Sequence, residues 1–410
     1  MILSRKNRIM IFLVAVVLVF AARLFYIQVL NDSFKSDANN NSTVHMAVYP
    51  TRGLIYDRHG NILVENKTCW NLMVTPAEVE PFDTARLADI LGVERSFIEE
   101  KMAWYRKYRT RIGYRSVEFI HQMESADYLR FAEVAYQFPG FHGEAHSVRK
   151  YPVNAGGNLL GYVSEVDAPY IKKHPEYKSG DYVGRAGIEA SMEHVLKGEK
   201  GNRIYYRNSR NKIVGSYLDG RMDTDAVPGK DVTTTIDRDL QVYGQQLMAG
   251  KIGSIVAIEP STGEILALVS APCLDVEKLD NMGKYYNEIV SDPLKPMFNR
   301  AVQASYPPGS VFKLVGGLIG LQEGTLKPWY EYPCHQGYWY APGKKVGCHA
   351  HRSPLDFEEA IMMSCNSYFC YVFKDIIENP AYPNVQAAFD RWREYVLSFG
   401  FGQKLGTDFP

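Results

Sequence analysis

The first residues able to do chemistry are Ser310 and Lys313, in Ser305-Tyr-Pro-Pro-Gly-Ser-Val-Phe-Lys-Leu314. Two prolines and a glycine end the preceding segment and release Ser310 near the start of an apolar run. Residues three apart face the same way on a helix, so the hydroxyl and the amine would be neighbours. A lysine removed from water loses the preference for its charged form and can act as a base. The spacing does not prove this. Ser310 would serve equally as a helix N-cap, with Lys313 extending its amine to solvent, and this stretch alone leaves both readings open. Ser147-Val-Arg-Lys150 and Ser209-Arg-Asn-Lys212 repeat the S-x-x-K pattern among charges. A lysine there stays solvated and protonated near its ordinary pKa of ~10.4.

A second group follows downstream, at Ser364-Cys-Asn366. Asp356 and Glu359 have the spacing of a capping box and predict a helix through Ala360-Ile-Met-Met363. Ser364 to Asn366 then fall at its end, before the apolar Tyr368-Phe-Cys-Tyr-Val-Phe373. A hydroxyl and an amide two residues apart on a turn can point into one cleft; an ordinary capping turn has the same letters.

The elements that must position these groups are legible in outline. Ile9 to Ala22 is uninterrupted apolar sequence and Leu24 to Leu30 extends it past Arg23; together they would make about 33 Å of helix at ~1.5 Å per residue, enough for a bilayer core of ~30 Å. Arg5, Lys6 and Arg8 precede it, which predicts a cytoplasmic tail over 1–8, a retained anchor over 9–30 and export of the remainder across the inner membrane. Short alternating runs such as Asn61–Val64 and Trp70–Val74, mixed with helical stretches, predict an α+β module over 45–237. Asp231–Ile236 reads as a strand and Arg238–Leu247 as a helix. At Gly253 the composition changes. Ser254–Ile258 and Glu264–Ser270 around Pro260-Ser-Thr-Gly263 predict a hairpin that opens a second domain over 250–410.

With 46 basic and 46 acidic residues the chain carries no formal net charge, so no nucleic-acid partner is implied. There are six cysteines. Cys334, Cys348, His349, His351 and Cys365 form a loose group in which a structural zinc is conceivable, although no C-x-x-C pair is present and no metal or other cofactor is expected for chemistry.

Taken together, S-x-x-K followed by S-x-N resembles the serine penicillin-recognising enzymes. The resemblance extends along the chain. Tyr49-Pro-Thr-Arg-Gly-Leu-Ile-Tyr-Asp-Arg-His-Gly60, Tyr151-Pro152, Gly161-Tyr-Val163 and Gly184-Arg-Ala-Gly-Ile-Glu189 look like the non-catalytic module of class B penicillin-binding proteins. Thr233-Thr-Thr-Ile-Asp-Arg-Asp-Leu-Gln241 and Ala257-Ile-Glu-Pro-Ser-Thr-Gly-Glu264 look like the entry to their transpeptidase domain, and the elongation type is the most similar. This resemblance implies an N-terminal transmembrane helix, a β-rich α+β pedestal of the dimerisation type, and an α/β transpeptidase domain of the β-lactamase-like kind. It implies a D,D-transpeptidase acting on peptidoglycan stem peptides through a Ser310 acyl-enzyme, with Lys313 as base. Ser364 would relay the proton to the departing D-alanine, and Asn366 would hold the substrate amide and orient the lysine. β-Lactams and a membrane glycosyltransferase of the shape-elongation-division-sporulation (SEDS) type are the implied ligands and partner.

One part of the pattern departs from the family. No K-[ST]-G follows Asn366; Lys178-Ser-Gly180 has the letters but lies in the other module, and Lys404-Leu-Gly-Thr407 does not match. A sequence stopping at Pro410 is therefore expected to be C-terminally truncated and inactive alone. A non-catalytic scaffold and a β-lactam sensor are the competing readings.

Overall fold

The computed structural model describes residues 5–26, 42–208, 212–279, 282–404 and 406–407. The fold centres on β3 (Ile62–Val74), a single 13-residue strand where the sequence suggested two short runs. Its N-terminal end pairs antiparallel with β2 (Ile55–Tyr56), and its remainder lies between β4 (Val117–Glu124) and β5 (Phe141–Lys150). Helices α2 (Thr84–Leu91), α3 (Arg95–Lys107) and α4 (Ser125–Ala132) supply side chains to the same core. Leu72, Val74, Leu87, Ile98, Phe119, Phe131 and Phe138 form that core, each almost fully removed from water. A second sheet joins β1 (Thr43–Val48) to β8 (Gly201–Arg207) and β9 (Ile213–Ser216), and β6 (Val163–Glu165) pairs with β7 (Tyr182–Gly184).

The motif residues of this part hold the backbone together. Gly53 passes so close to Lys230 that an added Cβ would lie 1.9 Å from its carbonyl oxygen. Arg52 Nη2 donates to Glu189 at 2.8 Å and to Glu193 at 2.7 Å. Arg149 Nε lies 2.7 Å from the other Glu189 oxygen, an ion pair by distance without hydrogen-bond alignment. The buried Asp57 accepts from the backbone N–H groups of His59 and Asn61 and from the Asn61 amide.

The expected strand over 231–236 is confined to β10 (Val232–Thr233), parallel to β2, because an N-capping Asp237 opens helix α5 (Arg238–Leu247) immediately afterwards. The expected hairpin is present as β11 (Gly253–Ile258) and β12 (Ile265–Ala271), in register Ser254 to Ser270. Two buried amides fix its surroundings. Gln241 donates to the carbonyls of Ala155 and Leu268 and accepts from Leu268 N–H; Asn158 accepts from Leu274 N–H and donates to Pro296 O. By contacts the chain divides into two units, 1–302 and 303–409, with this hairpin inside the first.

The first unit also contains α6 (Met282–Ser291); the second contains α7 (Phe312–Gln322), a hairpin of β13 (Gly337–Ala341) and β14 (Lys344–Gly347), α8 (Phe357–Met362), α9 (Asn366–Ile377) and α10 (Val385–Ser398). Its core comprises Ile319, Leu326, Leu355, Ala360, Tyr368, Val372 and Ile376, together with Cys334 and Cys365. The apolar run after Lys313 predicted a buried helix, but α7 is buried on one side only. Gly317, Ile319 and Gly320 face the core, whereas Val311, Leu314 and Leu318 form an exposed stripe.

Of the two decoys, Ser147 and Lys150 lie on β5, where residues three apart project to opposite faces, and Lys150 pairs with Glu65 at 2.7 Å. Of the other decoy, Ser209 lies outside the described residues, and Lys212 pairs with Glu78 at 2.8 Å. Helix α1 (Arg5–Phe25) occupies the first part of the expected anchor, and 27–30 lie outside the described residues. Among the described residues no helix is long and apolar enough to cross a membrane.

Candidate active site

Pro307-Pro308-Gly309 does what its composition suggests. Gly309 takes a left-handed φ of 61°, which a side chain would strain, and a 3₁₀ turn over Gly309–Val311 runs into α7. Ser310 is thereby exposed on the first turn, and Lys313 points from the same face.

The partner turn is built from α8. Its capping box is formed, with Glu359 N–H donating to Asp356 at 2.9 Å and Asp356 N–H donating to Glu359 at 3.3 Å. After α8 the chain reverses through Ser364, a non-glycine residue at φ 47°. Such a conformation costs about 1–3 kcal/mol and persists where the surroundings enforce it. Here it directs two oxygens of one residue at one amine. Lys313 Nζ donates to Ser364 O at 2.7 Å and to Ser364 Oγ at 3.0 Å, and the Ser364 and Ser310 hydroxyls hydrogen-bond at 3.1 Å.

Ser310, Ser364 and Lys313 thus form one chain, with Ser364 in the middle. Among the described residues no hydrogen bond joins Lys313 directly to Ser310 or to Asn366. Asn366 opens α9 beside them and donates from Nδ2 to Gly347 O at 2.7 Å, so the lysine is oriented by Ser364. Lys313 also lies 5.8 Å from the Phe369 ring centroid. Burial pulls its pKa below the ordinary lysine value, against the opposing pull of the Cys348, Cys365 and Cys370 thiols.

The cysteines lie directly behind this turn. The donor atoms of Cys334, Cys348, His351 and Cys365 all fall within 4.8 Å of one another; the exposed His349 is left out of the group. Cys348 Sγ is 3.9 Å from Cys365 Sγ and 3.4 Å from His351 Nε2. Tetrahedral zinc with bonds of ~2.3 Å separates its sulfur ligands by roughly 3.7 Å, so the set fits. His351 Nδ1 lies 2.6 Å from Arg352 O, which fixes the tautomer that leaves Nε2 free to ligate. Burial raises the Cys348 thiol, but N–H groups of Asn366 and Ser367 outweigh it, and Cys348 ionises more readily than an ordinary cysteine. Cys365 also caps α9, its sulfur accepting from Tyr368 N–H at 3.3 Å.

The structure brings Ser310, Lys313, Ser364 and Asn366 together at one turn; sequence reasoning missed the Phe369 ring, the β14 carbonyl that holds Asn366, and the contraction of the Cys/His group to four members. Each depends on loop closure that leaves no periodic signal.

Two family models match the chain: the penicillin-binding protein dimerisation domain over residues 47–234 and the penicillin-binding protein transpeptidase domain over 253–410. A peptidoglycan D,D-transpeptidase MrdA from Acinetobacter baumannii is 31% identical over 96% of this chain and 57% of its own length. MrdA from Escherichia coli K12 is 27% identical over 95% and 61% respectively. Penicillin-binding protein 3 of Bacillus subtilis is 27% identical over 92% and 54%. The chain therefore spans a little over half the length of these curated relatives. Among solved structures, the complex between penicillin-binding protein PBP2 and MreC from Helicobacter pylori matches in fold, with a TM-score of 0.68 at 22% identity over 90% of this chain and 67% of that one. With both modules matched in order, and with S-x-x-K and S-x-N brought together in space, the chain belongs to the class B penicillin-binding proteins.

Proposed function

We propose that the protein is a peptidoglycan D,D-transpeptidase of cell-wall elongation, inhibited by β-lactams, in which Ser310 is the nucleophile. The observation that carries this is the hydrogen-bonded chain from Ser310 through Ser364 to a lysine whose pKa is lowered by burial. Ser310 Oγ attacks the carbonyl between two terminal D-alanines. Its proton passes to Ser364, and the Ser364 proton passes to the neutral Lys313 amine. When the tetrahedral intermediate collapses the same wire returns a proton to the departing D-alanine nitrogen, leaving an ester on Ser310. An amine of a neighbouring stem then displaces Ser310 and forms the cross-link. Asn366, on the rim of the same turn, would take the substrate amide.

A K-[ST]-G strand normally supplies carboxylate recognition and part of the oxyanion hole, and these 410 residues contain none after Asn366. Losing one oxyanion donor costs ~10²–10³ in rate. Incubation with a fluorescent penicillin, followed by mass mapping, tests both statements. A chimaera that continues past residue 410 with the remaining length of the A. baumannii relative is expected to be labelled at Ser310. The 410-residue chain is expected to be labelled at least 10²-fold more slowly. A chimaera that stays unlabelled, or is labelled elsewhere, removes the acyl-transfer reading and favours a scaffold. Equal rates would show the strand to be dispensable.

The anchoring over 9–30, with the bulk outside the inner membrane, is proposed from the apolar run and the basic residues before it. It is consistent with the exposed apolar side chains of α1, such as Phe12, Val17 and Phe20. A SEDS-type glycosyltransferase is the proposed partner of the pedestal on family resemblance; the H. pylori neighbour was solved in complex with MreC, which makes a protein of that kind a second candidate.

The cysteine cluster is proposed to hold a structural zinc that ties the base of the β13–β14 hairpin to the S-x-N turn, without a chemical role. Protein purified without chelators is expected to carry about one zinc per chain by native mass spectrometry. Cys348→Ala is expected to lose it, and chelation to lower the melting temperature of the parent alone. A metal-free mass after dialysis against zinc would overturn this.

A further inference from the structure

The β13–β14 hairpin begins at the site and extends away from it. Its last residue, Gly347, accepts the Asn366 amide, and Cys348 N–H donates to Gln336 O to close its base. Successive side chains of a strand project to opposite faces. On one face Tyr338, paired across the hairpin with Val346, meets the Tyr371 ring of α9 edge-on at 4.8 Å. The other face carries Trp339 opposite Lys345, with the ammonium 5.5 Å from the indole centroid.

On that second face Trp339 is 60% exposed with Lys345 exposed beside it; Tyr340 falls at the irregularity in the pairing, and Lys344, paired with Ala341, projects to the opposite face from Lys345. Lys345 donates to His335 O, but among the described residues it has no acidic partner. An exposed indole beside an ammonium group that has no carboxylate partner, on a hairpin whose base holds Asn366, suits an anionic ligand with some apolar surface. Trp339 lies two residues from the base, or about 7 Å at ~3.3 Å per residue.

We propose that this hairpin face is the subsite for the acidic part of the stem peptide, with Trp339 packing against the peptide and Lys345 pairing a free carboxylate. The proposal rests on the acyl-transfer reading for its substrate class. A small β-lactam, which occupies only the Ser310 end, does not reach it.

The test uses a synthetic pentapeptide ending in D-alanyl-D-alanine with two free side carboxylates, and the same peptide amidated at both. Each is titrated into the 410-residue chain and its variants with tryptophan fluorescence and NMR line broadening as readouts. The acidic peptide is expected to bind the parent at least 5-fold more tightly than the amidated one, and to weaken with salt. Trp339→Ala and Lys345→Glu are each expected to weaken the acidic peptide about 5-fold or more, with Lys345→Glu leaving the amidated peptide unchanged. In the chimaera, penicillin labelling of Ser310 is expected to be unaltered by both substitutions. The proposal is overturned if the parent shows no preference for the acidic peptide or no binding, or if the variants bind it as the parent does, the result expected of a face that serves a protein partner. It is also overturned if penicillin labelling falls in step, which would mean that the hairpin only supports the fold. Failure of the unsubstituted chimaera to label would instead count against the acyl-transfer reading, and is read separately from the peptide titration.

Discussion

Exchange of Lys313 for methionine is expected to slow penicillin acylation of Ser310 in the chimaera by about 10²–10⁴-fold, the usual contribution of a positioned general base. Methionine keeps the length and the apolar contact with Phe369, so the turn retains its packing while the amine is lost. Lysine to arginine is the sharper test. Arginine keeps the positive charge and the capacity to donate to Ser364, but its pKa above ~12 denies it a neutral form. If Lys313 acts by deprotonation, the arginine variant is as slow as the methionine variant; if it only supplies positive charge, arginine restores much of the rate. The pH dependence has a definite sign. The reactive form is the free amine, so acylation rises with pH and levels off above the lysine pKa. Because burial depresses that pKa, the rise is centred below the ~10.4 of a solvated lysine. An arginine variant acylating near the parental rate, or a profile that falls with pH over the same range, would end the case for a neutral base.

The site was legible because its two halves are local in sequence. Three residues on a helix bring Ser310 and Lys313 to one face, and a capping box announces the helix that ends at Ser364. Their meeting was not derivable from either half, since each has a capping explanation of equal local quality. The decoys show what spacing omits: Ser147 and Lys150 are separated by the alternation of a strand, which the letters do not reveal. The β11–β12 hairpin and α5 were readable from alternation and an aspartate cap. The β13–β14 hairpin was not, because Gly337-Tyr-Trp-Tyr-Ala341 lacks a polar alternation, and its exposed face violates the pattern by which strands are recognised. The lysine's partner was also unforeseen. Nothing in Ser364-Cys-Asn366 indicates that Ser364 would take a left-handed conformation and present both of its oxygens to the amine.

Glu189→Ala is expected to destabilise the first unit by about 3–5 kcal/mol, the range for removing one partner of a buried ion pair. The geometry explains why the loss falls unequally. For Arg52, burial lowers the pKa, but the charges of Glu189 and Glu193 outweigh it, and Glu193 would remain. For Arg149, burial lowers the pKa, Glu189 opposes, and the neighbouring Arg52 charge lowers it again; the net direction is down even with Glu189 in place. Without that carboxylate, Arg149 keeps only neutral contacts such as Asn66 Oδ1 at 2.8 Å, and two buried guanidinium groups repel. At ~2–4 °C per kcal/mol for a unit of this size, the melting temperature should fall by on the order of 10 °C. Glu189→Gln, which keeps the volume and can still accept from Arg52, should lie between parent and alanine. The double change Glu189→Ala with Arg149→Met should recover part of the loss, because it removes the stranded charge and substitutes apolar contact. A double variant as unstable as the sum of the singles would mean that Glu189 acts through packing alone. A single alanine variant within 2 °C of the parent would show that water reaches the cluster and that Arg52 and Arg149 do not need the carboxylate. The segments that carried the family resemblance, Pro50-Thr-Arg-Gly53 and Gly184-Arg-Ala-Gly-Ile-Glu189, therefore have a physical reason to occur together: one contributes the cation and the other the buried anion that lets it stay.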